Sequence, residues 1–253
     1  MPAEDELLLY RGHSDRKAFM LLPSVLRDDK FRNAEETILR ELVASHPAEF
    51  MGDATTLDQL VRVQHYSLPT RLLDVTWNPL VALYFASNDK DGISGEVIVF
   101  RVKRSSVKFF DSDSVSCVAN LAHLKNSEKE DINFDLPNDI FNTQHQVDRL
   151  LHFIRVEKPH FSPVIRPSTL KTVLCVKPKK SNRRILAQSG AFLLFGMTES
   201  LDEMPVDGIA VERIQINGKK KKKIVWELDR MGFNEASMFP EIEKAAAYIK
   251  DKL

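Results

Sequence analysis

Residues 80–86 are apolar on every side of the helix that they are expected to form. Asn78 is a favoured N-cap residue and Pro79 suits the first helical position, so the start of this helix is clearly marked. A helix that is apolar all round must be covered all round, which places it at the centre of the fold. The remaining elements are therefore expected to surround it.

Five other segments have the apolar and β-branched composition of strands, and several are apolar on both faces. Strands of that kind lie inside a sheet that is covered on both sides. The fold class is accordingly predicted as α+β, a single mixed domain with a central, mostly covered β-sheet and surrounding helices. The predicted strands span residues 7–10, 95–102, 172–176, 191–195 and 209–216.

Apolar residues at helical spacing predict further helices around this sheet. One begins at Thr56, where Gln59 completes a capping box. It ends with three polar side chains, Gln64, His65 and Tyr66. The other predicted helices cover residues 34–43, 143–156 and 224–231, and a last one starts near Pro240.

The chain is interpreted as one domain, residues 1–253, with an insertion at residues 103–163, where the pattern is poorer. Basic and acidic residues balance at 36 each, so the net charge indicates no partner. Cys117 and Cys175 lie far apart, and neither a disulfide framework nor a zinc site is expected. Because no leader and no apolar run of bilayer length occur, we expect a cytoplasmic protein with no membrane contact.

Residues 64–79 hold nearly every type of hydrogen-bonding side chain between two apolar helices. Burying so many polar groups is costly unless they satisfy one another or a ligand. Ordinary turn and cap roles remain open for Thr70, Asp74, Thr76 and Asn78. Such roles do not explain why His65, Tyr66 and Arg71 occur together, so the segment is predicted to form part of a site.

Two of the candidate residues have a chemistry that suits an anionic ligand. Arg11, at the predicted end of the first strand beside Gly12, offers a planar fork for phosphate or carboxylate, and its alternative role is an ion pair with Asp74 or another acid. His65 suits acid-base or hydrogen-bonding work at a helix end, and its alternative role is purely structural. No metal motif and no glycine-rich phosphate loop accompanies them.

A second candidate segment covers residues 183–192. Arg184 precedes Gln188, and Gly190 leads into a buried strand that contains Phe192. The glycine predicts a close backbone approach at the start of the strand. The alternative is a turn in which the glutamine is incidental.

Together these motifs resemble the FRG-domain family. The resemblance rests on Tyr10-Arg11-Gly12, Gln64-His65-Tyr66, Pro69-Thr70-Arg71-Leu72-Leu73-Asp74, Thr76, Asn78-Pro79 and Ala82-Leu83-Tyr84-Phe85-Ala86, and it extends to Arg184, Gln188-Ser189-Gly190-Ala191-Phe192 and Met238-Phe239-Pro240. Two departures are mild: Tyr10 stands where the family name implies phenylalanine, and Ser67 stands where glycine is frequent.

A more distant resemblance is to the ADP-ribosyltransferases, which implies a split sheet and NAD as the substrate. It implies Arg11 for the pyrophosphate, Thr70 and Thr76 for the nicotinamide, and an aromatic ring from Tyr66 or Phe192. The catalytic glutamate of that superfamily is replaced here by Gln188, and Asp74 or Glu212 are the candidate substitutes.

The resulting expectation is an NAD-binding, ADP-ribosyltransferase-like enzyme without a metal, which modifies a protein or nucleic acid as a bacterial or phage toxin or defence effector. The alternatives are a non-catalytic nucleotide-binding or sensor module, and a metal-free ribonuclease built on His65, Arg11 and Arg71. The predicted catalytic residues are Arg11, His65, Asp74 and Gln188. The predicted binding residues are Tyr10, Gly12, Gln64, Tyr66, Thr70, Arg71, Thr76, Asn78, Arg184, Gly190 and Phe192.

Overall fold

The structure is a computed structural model that describes residues 5–198, 201, 208–242, 248 and 250. Its strands are β1 (Glu6–His13), β2 (Leu72–Thr76), β3 (Gly95–Lys103), β4 (Lys108–Phe109), β5 (Val173–Lys177), β6 (Gly190–Phe195) and β7 (Ile209–Ile216). Its helices are α1 (Asp29–Ser45), α2 (Pro47–Phe50), α3 (Thr56–His65), α4 (Pro79–Ser87), α5 (Asp113–Ala119), α6 (Asn126–Glu130), α7 (Asn138–Phe141), α8 (His145–Glu157), α9 (Pro167–Leu170), α10 (Arg183–Ala187), α11 (Lys221–Arg230) and α12 (Glu235–Met238). Short 3-10 turns cover Ser24–Leu26, Arg104–Ser106, Asn120–His123 and Gly218–Lys220.

The seven strands form one mixed sheet in the order β4-β5-β6-β2-β1-β3-β7. Neighbouring strands are antiparallel except β4 and β5, which are parallel. Helices surround the sheet, so the predicted α+β class is confirmed.

The sheet is nearly divided between β1 and β2. The single residue pair Tyr10 and Thr76 joins these two strands, whereas β1 pairs with β3 along its whole length from Glu6 to His13. Beyond that pair β1 continues to His13 and β2 extends back to Leu72 without a further residue pair between them, so the two strands separate there. The resulting gap opens in the middle of the sheet.

Helix α4 packs between the sheet and α11, but Leu80, Leu83 and Phe85 stay partly exposed, so it is not covered on all sides as predicted. The Asn78 side chain accepts a hydrogen bond from the backbone N–H of Leu80, and Pro79 occupies the first turn. One side of the helix packs on β1 at Gly12, where an added Cβ would come within 2.0 Å of the Ala82 carbonyl oxygen. The opposite side packs against α11. Gly12 is thus required by close helix packing.

The sheet has an apolar core on each face. On one face, Leu72 and Leu194 pack with α1, α3, α5 and α8. On the other, Leu73, Ile98 and Phe100 pack with a smaller set of buried residues. Helices α5, α7 and α8, which arise from residues 103–163, contribute to the first of these cores.

The structure corrects three predictions. Strand β1 does not stop at Gly12 but runs on to His13, so Arg11 lies inside the strand. Helix α3 is capped by Thr55 with Asp58, not by Thr56 with Gln59. Strand β2 arises inside the polar segment, where no strand was predicted.

The predicted C-terminal helix from about Pro240 lies largely outside the described residues. Among the described helices, none has the length and apolar character that crossing a membrane requires.

Candidate functional site

A cleft opens where β1 and β2 separate, and it consists of two adjoining cavities with empty volumes of about 570 and 590 Å³. The cavities share Asp74, Val75, Arg184 and Gln188. The first is also lined by Tyr10, Arg11, Gly12 and Thr76, and the second by Gln64, His65, Gly190 and Phe192. The four predicted catalytic residues therefore line one continuous cleft.

Asp74 is exposed although it occupies the middle of a central strand. Its neighbours in β2 are all buried, and only the separation of β1 from β2 leaves this side chain open. In the described part of the chain, no other acidic residue lines either cavity. Asp74 is thus the carboxylate that a bound ligand would meet.

Arg11 bridges the gap between the two strands. Its Nη1 donates a hydrogen bond to the backbone carbonyl of Asp74 at 2.6 Å, and its Nε donates to Nε2 of His13 at 3.0 Å. Burial lowers the pKa of Arg11, and the nearby charge of Asp74 opposes that shift. The guanidinium lines the first cavity and is held by these two hydrogen bonds, so it is preorganised.

A buried chain of polar groups holds His13 behind Arg11. Since Nε2 accepts from Arg11, the proton lies on Nδ1, which donates to Oε1 of Glu96 at 3.0 Å. The same oxygen accepts from Nη1 of Arg213 at 2.7 Å. Burial, followed by the positive charges of Arg11 and Arg213, lowers the pKa of His13 to about 3. His13 is therefore a neutral positioning residue at physiological pH.

Sequence reasoning missed the role of His13. The spacing of the two residues could have indicated it, because residues two apart in a strand, such as Arg11 and His13, project from the same face. Register then places Glu96 opposite His13. The partner from β3 lies 83 residues away in the chain, and that pairing is not visible without the sheet.

Two more arginines accompany Arg11. Burial lowers the pKa of Arg27 and the charge of Asp74 opposes that shift, while the charge of Arg27 contributes to lowering the pKa of Arg11. The Nε of Arg27 donates a hydrogen bond to the carbonyl of Leu22 at 2.7 Å. Arg184 lines both cavities, with its guanidinium carbon 5.1 Å from the ring centroid of Phe239. In the described part of the chain, none of the three arginines belongs to a salt bridge. The cleft is therefore lined by two arginines, Arg11 and Arg184, that no carboxylate of the described residues meets at salt-bridge distance.

Gln188 forms the third wall of the cleft. Its backbone carbonyl accepts from Oγ1 of Thr76 at 2.6 Å, and its side-chain amide donates to the carbonyl of Met238 at 3.0 Å. The next residue, Ser189, has a φ of 48°, in the left-handed region. These contacts tie β2, the turn before β6 and the end of α12 together.

His65 and Gln64 line the second cavity from the end of α3. Oε1 of Gln64 accepts from the hydroxyl of Thr70, and Nδ1 of His65 is buried without a hydrogen-bond partner among the described residues. A buried nitrogen without a partner is costly, and a ligand would satisfy it. Ser67 follows with a φ of 62°, which explains why glycine suits this position.

Four predicted binding residues lie outside the cleft. Tyr66 is 47% exposed and donates its hydroxyl hydrogen to Glu49. Thr70 is fully buried and accepts from the backbone of Leu72, and Asn78 caps α4. For Thr70 and Asn78 the ordinary turn and cap roles are the ones observed. The fourth is Arg71.

Arg71 is buried in an ion-paired cluster beneath the sheet. Its Nε and Nη2 donate to the two oxygens of Glu35 at 2.7 and 2.5 Å, and Nζ of Lys129 donates to the same carboxylate at 2.6 Å. Burial alone raises the pKa of Glu35, but the charges and hydrogen bonds of Arg71 and Lys129 overcome it and lower it to about 2. The prediction that Arg71 binds substrate is wrong.

Two further details correct the sequence predictions. A Cβ added at Gly190 would meet its nearest neighbour, Ile185, at an ordinary 3.6 Å, so no close approach requires this glycine. Glu212, the alternative carboxylate, forms an exposed salt bridge with Arg101 on the edge of the sheet. Of the two candidate substitutes for the catalytic glutamate, only Asp74 lines the cleft.

Tyr10, Phe85 and Phe192 supply aromatic rings to the cleft, and of these three only Phe85 was not among the predicted binding residues. Phe85 of α4 lines the first cavity and meets Phe239 edge to face, with ring centroids 5.9 Å apart. Phe192 lines the second cavity but is only 5% exposed. No cluster of three or more histidine, cysteine, aspartate or glutamate side chains suited to a metal ion occurs among the described residues.

Comparison with known proteins identifies one family. A model described as "FRG domain" matches residues 6–93, which include β1, β2, α4 and the residues of both cavities that precede Asn182. Gln188 and Met238 lie beyond the matched range. No curated protein and no solved structure matches the chain. The chain therefore carries an FRG domain, which covers residues 6–93.

Proposed function

We propose that this protein binds NAD in the cleft and transfers ADP-ribose from it to a macromolecule. The observation that supports the proposal most is the charge pattern of the cleft. Arg11 and Arg184, which form no salt bridge among the described residues, line the cleft with a single open carboxylate, Asp74, and the charge of a third arginine, Arg27, acts on Arg11 from nearby. NAD has the complementary pattern, since its pyrophosphate is anionic and its nicotinamide ring is cationic.

The arginines would take the pyrophosphate. Arg11 is fixed by two hydrogen bonds, and Arg184 is held over the ring of Phe239. Planar guanidinium groups suit phosphate because they donate two parallel hydrogen bonds. Preorganisation of both groups limits the entropy that is lost on binding.

Asp74 would act on the reacting ribose. The bond between C1′ and the nicotinamide nitrogen breaks, and its electron pair leaves with nicotinamide. Positive charge develops on the ribose, and a carboxylate fixed nearby stabilises that charge. A nucleophilic oxygen or nitrogen of the acceptor then donates an electron pair to C1′ and loses its proton, which completes the transfer.

The proposal is tested by measuring nicotinamide release and the incorporation of labelled ADP-ribose into macromolecules. Asp74→Asn is expected to slow both by about 10²- to 10³-fold, the usual loss when one electrostatic contact to a transition state is removed. Glu212→Gln, which alters an exposed carboxylate outside the cleft, is the matched control and should retain full activity. Equal activity of the wild type and Asp74→Asn would overturn the proposal.

One observation favours a second candidate, a nucleotide-binding module without turnover. Gln188 stands where the ADP-ribosyltransferase resemblance expects a glutamate, and its amide is bonded to Met238. Such a module would bind NAD in calorimetry, with a loss on Arg184→Ala, and release no nicotinamide. A metal-free ribonuclease would require Arg71 beside His65. Arg71 is instead buried against Glu35, which disfavours that function.

A further inference from the structure

A second groove lies beside the cleft, and we call it the basic groove. Its lining includes three cationic side chains, Arg104, Lys177 and Lys180, and two aromatic ones, Trp77 and Phe109. Its empty volume of about 1250 Å³ exceeds that of either cavity of the cleft. The groove is therefore large enough for a segment of a polymer.

The charge of the basic groove is of one sign. No acidic residue lines it in the described part of the chain, and none of its three cations belongs to a described salt bridge. This is notable in a protein whose basic and acidic residues are equal in number. A groove of unneutralised cations attracts a polyanion.

Exposed apolar surface accompanies these cations. Phe109 is 56% exposed although it belongs to strand β4, and Nζ of Lys177 lies 5.7 Å from its ring centroid. Leu186, which also lines the groove, is 52% exposed. Aromatic faces beside cations are the arrangement on which unpaired bases stack while their phosphates are neutralised.

The basic groove and the cleft are neighbours. Ile185 and Gly190 line both the groove and the second cavity, and Ser189 in the groove directly follows Gln188 in the cleft. A ligand in the groove is thus separated from the cleft only by the turn between α10 and β6.

We propose that the basic groove binds a single-stranded nucleic acid and presents it to the cleft as the acceptor of ADP-ribose; the acceptor role rests on the proposed function. Arg104, Lys177 and Lys180 contact phosphates, and a base stacks on Phe109. An acidic peptide would use the cations but not the aromatic face. A duplex hides its base faces, so it uses only the phosphate contacts.

Binding is measured by fluorescence anisotropy of labelled single-stranded DNA and RNA oligonucleotides, without NAD. The double variant Lys177→Ala/Lys180→Ala and the single variant Phe109→Leu, which keeps an apolar side chain but removes the ring, are each expected to weaken binding about tenfold. The matched control is Lys222→Ala/Lys223→Ala, which removes the same charge from exposed positions of α11 outside the groove and should bind like the wild type. Thermal unfolding checks that each variant is folded.

Three outcomes would overturn nucleic-acid binding at the groove: no binding by the wild type, an equal loss in the control variant, or equal competition by duplex DNA or polyglutamate. The acceptor role is read separately from the mass of the oligonucleotide after incubation with NAD. An oligonucleotide that binds but gains no ADP-ribose while nicotinamide is released would overturn that role. Without any nicotinamide release the proposed function fails, and the anisotropy result is unaffected.

Discussion

The guanidinium of Arg11 spans the gap in the sheet and donates from Nη1 to the backbone carbonyl of Asp74 at 2.6 Å. This bond replaces the ladder of backbone hydrogen bonds that the two strands lack beyond Tyr10 and Thr76. One side chain therefore both closes the sheet and presents a positive charge to the cleft. A substitution that keeps the positive charge but removes the planar guanidinium group separates these two roles.

Arg11→Lys is expected to weaken NAD binding by about ten- to hundredfold, the loss associated with one or two hydrogen bonds to a charged group. Lysine cannot reach both the carbonyl of Asp74 and the imidazole of His13 with a fixed planar donor set. Isothermal titration calorimetry measures the change. Arg16→Lys, which alters an exposed arginine bonded to Gln215, is the control. Wild-type affinity in Arg11→Lys would contradict the assignment.

Acid is expected to destabilise the protein through His13. Its pKa in the folded state is about 3, below the ordinary 6.5, so below about pH 6.5 the unfolded chain takes up a proton that the folded protein refuses. The free energy of unfolding should fall by up to about 1.4 kcal/mol per pH unit between the two values. Burial and the charge of Arg40 lower the pKa of His123 to about 4, which adds to the same slope.

Urea unfolding at a series of pH values measures this slope. His13→Gln should reduce it to the parts that His123 and, below about pH 4.5, Glu35 contribute, because glutamine does not titrate. His160→Gln, at an exposed position, should leave the slope unchanged. An unaltered slope in His13→Gln would show that His13 is not held neutral by the fold.

The buried cluster around Arg71 is expected to support the fold and not the ligand. Glu35→Gln leaves Arg71 and Lys129 without their carboxylate, and the free energy of unfolding should fall by about 3 to 5 kcal/mol. Asp91→Asn, which breaks an exposed pair with Lys222, should change it little. Denaturant titration gives both values. A Glu35→Gln protein of wild-type stability would contradict the structural role.

Ser67→Gly is expected to stabilise the protein by about 0.5 kcal/mol, because release of the left-handed backbone strain outweighs the entropy that glycine adds to the unfolded chain. Ser67→Val should do the opposite, since a β-branched residue tolerates a positive φ poorly. Thermal unfolding of the two variants tests the direction. A destabilised Ser67→Gly protein would exclude strain at this turn.

Much of the framework was predictable from local pattern. Helix α4 and strands β3, β5 and β6 follow from unbroken apolar runs, because extensive burial leaves little choice of residue. The approach of Arg11 to Gln188 was expected from the resemblance, and the structure places both at one cleft.

The remainder depended on contacts distant in sequence. Strand β2 escaped prediction because Asp74 and Thr76 interrupt its apolar residues, and only the gap in the sheet tolerates an open carboxylate there. Arg71 resembled a ligand-binding residue because its partner Glu35 lies 36 positions earlier, on the buried side of α1. His13 required the register of β1 against β3.

The single residue pair between β1 and β2 affects how residues 6–93, the segment that matches the family model, behave when they are expressed alone. A fragment ending at residue 93 keeps β1 and β2, yet it loses β3 from one and β6 from the other. Two bare strand edges would then be linked by a single backbone pair, and bare edges recruit other chains. The fragment should aggregate, so the unit recognisable by sequence is smaller than the unit that folds.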